Sequence, residues 1–376
     1  MINTFNHTET GEYHVFKGTD GQDASKTLKF THPPTGKELT VSAISDGVGS
    51  TFHGGEGAKL AVNTAVDYLH QHLNELDILD DTTIIPLLKN TYNLAYDKID
   101  ALSLEQELSL VEYDCTLTVA VYDGETVYFG HIGDDGIVVV YEDGEFEMIT
   151  TRHKGEEAHS LYPLRFTDLW QFSKTSKPVA SFVMCTDGIL DYFVHPTLGL
   201  IFTPFMERLL YTPYNSEESF EAEKQFWKHS MSLPSTDENS LRHDIKDDMT
   251  LLIVTNSERV EHLPPFTFNE DEYYATIQKY IEDRDRKLYG KYYAEKKQKE
   301  KSSKPANILA DDPATATDDQ LSIGIGTSNA SSCPCNPKTG LPNVNEMHDN
   351  LQNDTDDLSE ASNALQQKTT KGVHPL

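Results

Sequence analysis

The chain has 376 residues, with 61 acidic against 31 basic side chains and a formal charge of −30. Phosphate backbones and anionic lipid surfaces are recognised by clustered Lys and Arg, so this balance excludes nucleic acid and membrane as main partners and suits a cation or a cationic peptide. No apolar run reaches the ~20 residues of a membrane-spanning helix, the opening Met1-Ile2-Asn3-Thr4-Phe5-Asn6-His7 lacks a signal-peptide pattern, and four cysteines in so long a chain make no disulfide framework; a cytoplasmic location is expected.

In chain order, Val41-Ser42-Ala43-Ile44-Ser45 reads as a strand running into Asp46-Gly47-Val48-Gly49. Apolar residues at helical spacing follow from about Gly55 to Leu76, and a second helix pattern spans about Thr83 to Leu102. Strands then crowd together: Cys115 to Tyr122, Thr126 to Ile132, Ile137 to Tyr141 and Phe146 to Thr150. Asp123-Gly124 and Asp143-Gly144 are hairpin turns between them. Val179 to Thr186 and Met249 to Thr255 complete the strands. Runs of strands with helices between them predict an α+β fold, an antiparallel β-sandwich flanked by helices.

Composition divides the chain into residues 1–268, 269–300 and 301–376. The first carries 18 basic and 43 acidic residues. The second carries 8 of each and reads as a helix, capped near Asn269, with Glu270, Asp271 and Glu272 in its first turn. Its Tyr273, Ile277, Tyr280, Ile281 and Leu288 form a stripe expected to pack on the main domain or on a partner. The third segment has no Tyr, Phe or Trp and cannot bury enough apolar area to offset its ordering entropy, so a disordered tail is expected. Its Cys333-Pro334-Cys335 is too small a set for a metal site.

Several aspartates share one setting, the end of an apolar strand or a turn beside it. Asp46 follows Ser45, Asp134 follows Gly130-His131-Ile132-Gly133, Asp187 follows Cys185-Thr186, and Asp247-Asp248 open the last strand; Asp23 lies in Gly21-Gln22-Asp23-Ala24. Asp-Gly is first a turn dipeptide, which accounts for 123–124 and 143–144. The order and strand contexts of Asp46, Asp187 and Asp247 single these out. Carboxylates meeting at one sheet rim repel one another unless a cation or a proton offsets them, and hard oxygen donors favour Mg²⁺ or Mn²⁺ over zinc.

At these residues the chain resembles the metal-dependent protein phosphatases, the type 2C serine/threonine family, in a bacterial-type variant. Ile44-Ser45-Asp46-Gly47-Val48-Gly49 with Gly55-Glu56-Gly57-Ala58 is similar to its first metal motif. Asp114-Cys115-Thr116 with Gly130-His131-Ile132-Gly133-Asp134 resembles its central hairpin. Thr186-Asp187-Gly188 and Asp247-Asp248-Met249-Thr250 resemble its later motifs, and Gln22-Asp23-Ala24 its opening. The resemblance covers about residues 11–256. It implies a β-sandwich with a binuclear centre of Mn²⁺ or Mg²⁺ at one end. Asp46 would bridge both ions and the Gly47 carbonyl would bind the second. Asp187 and Asp247 would hold the first, Asp23 would act through water, and Asp134 would sit near an optional third ion. Two such ions about 4 Å apart lower the pKa of a bridging water, which attacks phosphorus with no protein nucleophile. Cys115 and Cys185, inside strand patterns, then read as core packing.

The sequence also departs from that family. An arginine that clamps substrate phosphate in many members is absent from Phe16-Lys17-Gly18-Thr19, leaving Lys17 or His14 as substitutes without the bidentate fork. No histidine follows Gly47 directly, so His53 is the nearest candidate general acid, with an ordinary loop histidine as the competing reading. Residues 151–178 occupy the place of the family's flap and gather Arg152, His153, Lys154, Arg165, Trp170, Lys174 and Lys177, either to select substrate or as a plain surface connection. The expected function is a phosphoserine/phosphothreonine protein phosphatase in signalling, opposing a protein kinase. The alternatives are a pseudophosphatase that binds phosphoproteins as a regulatory module and a hydrolase of small phosphoesters.

Overall fold

β-Branched and aromatic residues build ten strands, paired antiparallel throughout, in a computed structural model that describes residues 1–153, 161–211, 216–237, 240–243 and 245–302. In chain order the strands are β1 (Ile2–Glu9), β2 (Ala24–Thr31), β3 (Glu38–Ser45), β4 (Leu117–Tyr122), β5 (Val127–Ile132), β6 (Gly136–Tyr141), β7 (Phe146–Met148), β8 (Gln171–Lys174), β9 (Val179–Cys185) and β10 (Met249–Asn256). They form two five-stranded sheets, ordered β1-β10-β9-β6-β7 and β2-β3-β4-β5-β8. The helices are α1 (Glu12–Lys17), α2 (Gly54–Leu73), α3 (Asp81–Glu105), α4 (Asp187–Phe193), α5 (Thr203–Met206), α6 (Glu217–Ser232), α7 (Ser257–Val260) and α8 (Glu270–Ser302).

Side chains alternate across a strand, and here both faces of the central strands are buried. Ile44, Ala120, Tyr122 and Phe129 of one sheet meet Ile137, Val139, Phe182, Met184 and Val254 of the other, which makes the core of a sandwich. The alternate residues Val41, Ala43, Val119 and Val121 turn outward to Ala58, Ala61, Ala65 and Leu69 of α2 and Leu88 and Tyr92 of α3. The second sheet has its own helical cover, in which Phe193 of α4 stacks on Phe205 of α5 and Phe205 meets Trp227 of α6 edge to face. The expected α+β sandwich flanked by helices is the observed architecture.

The hairpins close as their sequences require. Gly124 and Gly144 adopt φ of +91° and +83°, a region open to glycine, and the neighbouring Asp123 and Asp143 accept backbone N–H groups two residues on. Helix α3 begins at a reciprocal cap in which Asp80 accepts from Thr82 and Thr83 N–H. Among the described residues, Met1–Thr267 form one compact unit and α8 belongs to a second. Asn269 caps α8, accepting from the Glu272 N–H at 3.2 Å. The tail from residue 303, with Cys333 and Cys335, lies outside the described residues, as do Lys154 and the Leu288 side chain. No helix among the described residues is long and apolar enough to cross a membrane.

Four elements missing from the sequence expectation, β1, β2, α1 and α4, border the acidic end. β1 pairs with β10 in continuous register from Ile2↔Asn256 to Glu9↔Met249, and β2 pairs with β3 from Ala24↔Ser45 to Thr31↔Glu38. Close backbone contacts hold this end together. The first turn of α2 lies on Tyr113, so a Cβ on Gly57 would stand 2.2 Å from the Tyr113 carbonyl oxygen. His53 N–H donates to Glu112 O at 3.1 Å and Val48 N–H to Asp114 O at 2.9 Å beside it. Gly57→Ala should therefore destabilise by about 1–3 kcal/mol, the usual cost of forcing atoms into a packed interior. At about 2–4 °C per kcal/mol for a domain of this size, calorimetry should show a fall of several degrees in Tm. An unchanged Tm would mean that helix and loop can part freely.

Candidate metal centre

The acids gather at one end of the sandwich because strand ends and the starts of two helices meet there. Asp46 extends β3, with its N–H donating to Thr116 Oγ1 at 2.7 Å and its carbonyl accepting from Thr116 N–H at 2.8 Å. Asp134 lies in the short β5–β6 connection, and Asp187 is the first residue of α4 after β9. One carboxylate oxygen from each of Asp46, Asp134 and Asp187 falls within 4.8 Å of the others. Asp46 and Asp187 are half-buried, and Asp134 is buried.

Glycine makes this convergence sterically possible. A Cβ on Gly47 would sit 2.3 Å from the Gly54 carbonyl carbon, and one on Gly188 2.2 Å from the Asp248 carbonyl oxygen. Neither glycine has positive φ, so both are kept for close backbone approach. Gly47 thus brings the start of α2 against Asp46, while Gly188 brings the start of α4 onto Asp247-Asp248.

Behind the cluster, hydroxyl groups hold two further acids. Asp23, 5 % exposed, accepts at Oδ2 from Thr186 Oγ1 at 2.7 Å and from Thr250 Oγ1 at 2.8 Å. Asp135, fully buried, accepts at Oδ2 from Thr116 Oγ1 at 2.5 Å, and its Oδ1 has no hydrogen-bond partner among the described residues. Burial pushes Asp23 up to about 7, assisted by the Asp248 charge and opposed by the two threonine hydroxyls. Burial likewise drives Asp46 well above the ordinary carboxylate range, followed by the charges of Asp23, Asp187, Asp135 and Asp134. Asp135 is raised in the same way, chiefly by burial and then by Asp134. These carboxylates therefore repel one another into protonation unless a cation enters. The donors are hard oxygens with no thiol or imidazole in the set. Their crowding, the raised Asp46 and the unsatisfied Asp135 oxygen together fit a divalent cation of the Mg²⁺ or Mn²⁺ kind.

The other sequence candidates stand around this cluster. Asp247 is exposed at the strand entrance beside Gly188, outside the group of three, and its Oδ1 accepts from Asp248 N–H at 2.9 Å. Its neighbour Asp248 is buried and pins the N-terminal segment. It accepts from Gly11 N–H at 2.6 Å and Gln22 N–H at 2.5 Å, and it lies 3.1 Å from His14 Nδ1. Lys17 ends α1 with its ammonium 3.9 Å from the Tyr13 ring centroid and bonded to the Tyr13 hydroxyl. His53 caps α2, its Nδ1 3.1 Å from Glu56 Oε2 and its ring stacked on Tyr113 at 5.0 Å.

In the 151–178 segment several cations are paired. Arg165 Nε donates to both oxygens of Asp114 at 2.8 and 2.9 Å, Lys174 meets Asp81 at 3.2 Å, and Lys177 meets Asp143 at 2.8 Å. Arg152 donates to the Asp134 carbonyl at 2.8 Å and pairs with Asp191. Asp135 and Asp248 received no role from the sequence, although the two Asp-Asp doublets were a usable signal, and Arg152 was read only as one of the flap cations.

Residues 10–226, more than half of the chain, match the family described as Protein phosphatase 2C. The chain is 28 % identical over 257 residues to Serine/threonine-protein phosphatase 3 of Escherichia coli (strain K12), covering 65 % of this chain and 94 % of that protein. Among solved structures, it is similar to the serine/threonine phosphatase Stp1 of Staphylococcus aureus, with a TM-score of 0.47, 17 % identity and coverage of 68 % of this chain and 95 % of that one. It is also similar to the Mycobacterium tuberculosis serine/threonine phosphatase PstP/Ppp, with a TM-score of 0.45, 16 % identity and coverage of 68 % and 98 %.

The raised Asp23 sets a pH dependence for the cation-free protein. Below about pH 4 folded and unfolded chains both hold this proton, so it costs nothing. Between about pH 4 and the folded value near 7 only the unfolded chain releases it, and stability falls as pH rises. Asp23→Asn should thus raise Tm in EDTA at pH 8 and change it little near pH 4. Equal shifts at the two pH values, read by scanning fluorimetry, would remove Asp23 as the titrating group.

Proposed function

The chain belongs to the protein phosphatase 2C family, and from that premise we propose that it is a metal-dependent phosphatase hydrolysing phosphoserine and phosphothreonine in proteins. The observation that carries this reading is the meeting of Asp46, Asp134 and Asp187 within 4.8 Å. The serine/threonine preference is supported by the name of the Escherichia coli relative. A converging carboxylate set favours turnover over a regulatory module that only binds phosphoproteins. We assign the cation contacts to Asp46, the Gly47 carbonyl, Asp134, Asp187 and Asp247, with Asp23 acting through solvent; Mn²⁺ or Mg²⁺, as a pair of ions, suits these oxygens. Divalent ions held by these residues would supply a water of lowered pKa and would offset charge on the phosphoryl oxygens.

The chain's own share is placement and proton handling. Thr116 fixes the Asp46 backbone, and Thr186 and Thr250 fix Asp23. Carboxylates held in this way need no reorganisation as the reaction proceeds. His53 is our choice for proton delivery to the departing seryl or threonyl oxygen, since Glu56 and Tyr113 orient its ring. Lys17 is our choice for the phosphate contact, which requires it to exchange the Tyr13 ring for the anion. We place the activity in residues 1–268, apart from the 269–300 helix and the 301–376 tail. The partners are a phosphorylated protein and an opposing kinase, in cytoplasmic signalling.

Hydrolysis of p-nitrophenyl phosphate and of a phosphothreonine peptide should require Mn²⁺ and stop in EDTA. Asp187→Asn should lower it by at least about 100-fold, the upper range for losing mere support of a metal ligand. Wild type matching the mutant and ignoring EDTA would end the enzyme reading. Removing residues 301–376 should leave turnover of the small ester nearly unchanged, and a large loss there would show that the tail serves the site.

A further inference from the structure

We propose that the Arg152 guanidinium is a resident cation of the carboxylate cluster, taking on its Asp134/Asp191 side the charge role that one more divalent ion would otherwise fill. This rests on the metal-dependent reading above. Arg152 stands at the start of the 151–178 segment, yet its side chain is only 7 % exposed. Its Nε donates to the Asp134 backbone carbonyl at 2.8 Å, and its Nη1 donates to Asp191 Oδ1. Asp191 lies four residues beyond Asp187 on α4, hence on the same helix face. The guanidinium thus spans the two elements that carry Asp134 and Asp187. Only a planar fork can bond a carbonyl on one edge and a carboxylate on the next; an ammonium supplies the charge without that span.

Arg152 Nη2 is buried and has no hydrogen-bond partner among the described residues. Buried guanidinium N–H groups are normally satisfied. A full positive charge kept there with one donor idle is better explained by the field it supplies than by the bonds it makes. Its two bonds tie it to the elements of a cluster in which Asp46 and Asp135 are crowded by neighbouring acids. In a partly desolvated site, a fixed cation beside such a cluster offsets its crowding more strongly than in water. With Arg152 in place, Asp191 is paired and the Asp134 loop is tied down, so this side recruits one ion fewer.

The test is Mn²⁺ stoichiometry on the full chain, measured by isothermal titration calorimetry and by electron paramagnetic resonance of unbound Mn²⁺. Arg152→Gln should bind one more Mn²⁺ per chain than wild type. The double variant Arg152→Gln/Asp191→Asn should lose that extra ion, and Arg152→Lys should keep the wild-type count. An unchanged count and midpoint in Arg152→Gln would overturn the proposal. If Arg152→Gln does not fold, as judged by near-ultraviolet circular dichroism, Asp191→Asn decides alone. A wild-type count there supports the resident charge, whereas one ion fewer makes Asp191 a ligand and overturns it. Wild type that binds no Mn²⁺ at all would instead overturn the metal-dependent reading and this proposal with it, so the two failures are distinct.

Discussion

Like charges brought together out of water are the constraint on which this structure turns. Asp23, Asp46, Asp134, Asp135 and Asp187 occupy one end of the sandwich, and each raises the cost of ionising another. Nothing in the sandwich core requires this arrangement, since the apolar contacts of Ile44, Tyr122, Phe182 and Met184 lie between the sheets. The two cores on either side of the β2-β3-β4-β5-β8 sheet stabilise the fold, and the acidic end draws on that stability. Proteins keep such destabilising sites where activity needs them. The supporting hydroxyls of Thr116, Thr186 and Thr250 limit the cost by bonding the buried oxygens, without supplying the positive charge that would remove it.

The same dipeptide serves two physical purposes in this chain. In Asp123-Gly124 and Asp143-Gly144 the glycine supplies positive φ, and the aspartate bonds the turn backbone. In Asp46-Gly47 and Asp187-Gly188 the glycine has ordinary φ and is required because another backbone passes within 2.3 Å of where a Cβ would be. The first kind is a local matter of two residues. The second records a contact with backbone beyond the turn, close by for Gly47 with Gly54 and remote in sequence for Gly188 with Asp248. That difference is why the flanking apolar strands, rather than the dipeptide itself, separated site from turn.

What was legible in the sequence follows the same division. The central strands β3, β4, β5, β9 and β10 are buried on both faces, and their runs fall within about three residues of the observed ends. β1 and β2, as Asn3-Thr4-Phe5-Asn6-His7-Thr8 and Ser25-Lys26-Thr27-Leu28-Lys29, are half polar because each lies at the edge of its sheet with one side open. Their strand character comes from partners, β10 and β3, that no local pattern names. The acids divide likewise. Strand-end position identified Asp46, Asp134 and Asp187, which the fold brings together. It could not assign the second members of the doublets, Asp135 and Asp248, whose partners Thr116, Gly11 and Gln22 arrive from remote segments. Lys17 and His53 were chosen for charge and acidity, and their contacts with Tyr13, Glu56 and Tyr113 depend on loop geometry that composition does not encode.

The groups around the acidic end also constrain who attacks the phosphorus. Cys115 and Cys185 are the thiols nearest in sequence to the cluster, and both are buried. Burial pushes the Cys115 thiol up to about 12 and Cys185 well above its ordinary value, so neither offers a thiolate near neutral pH. His131, fully buried, is lowered to about 3 by burial and by His153, and its ring is tied between Thr118 Oγ1 and the Thr151 carbonyl. It is held neutral as a strut between β5 and the following segment. The threonine hydroxyls beside the carboxylates already donate to Asp23 and Asp135. With thiols silenced, imidazole committed and hydroxyls spent on acids, the described side chains at this end favour solvent as the nucleophile, and the acids as the means of assembling the charge that activates it.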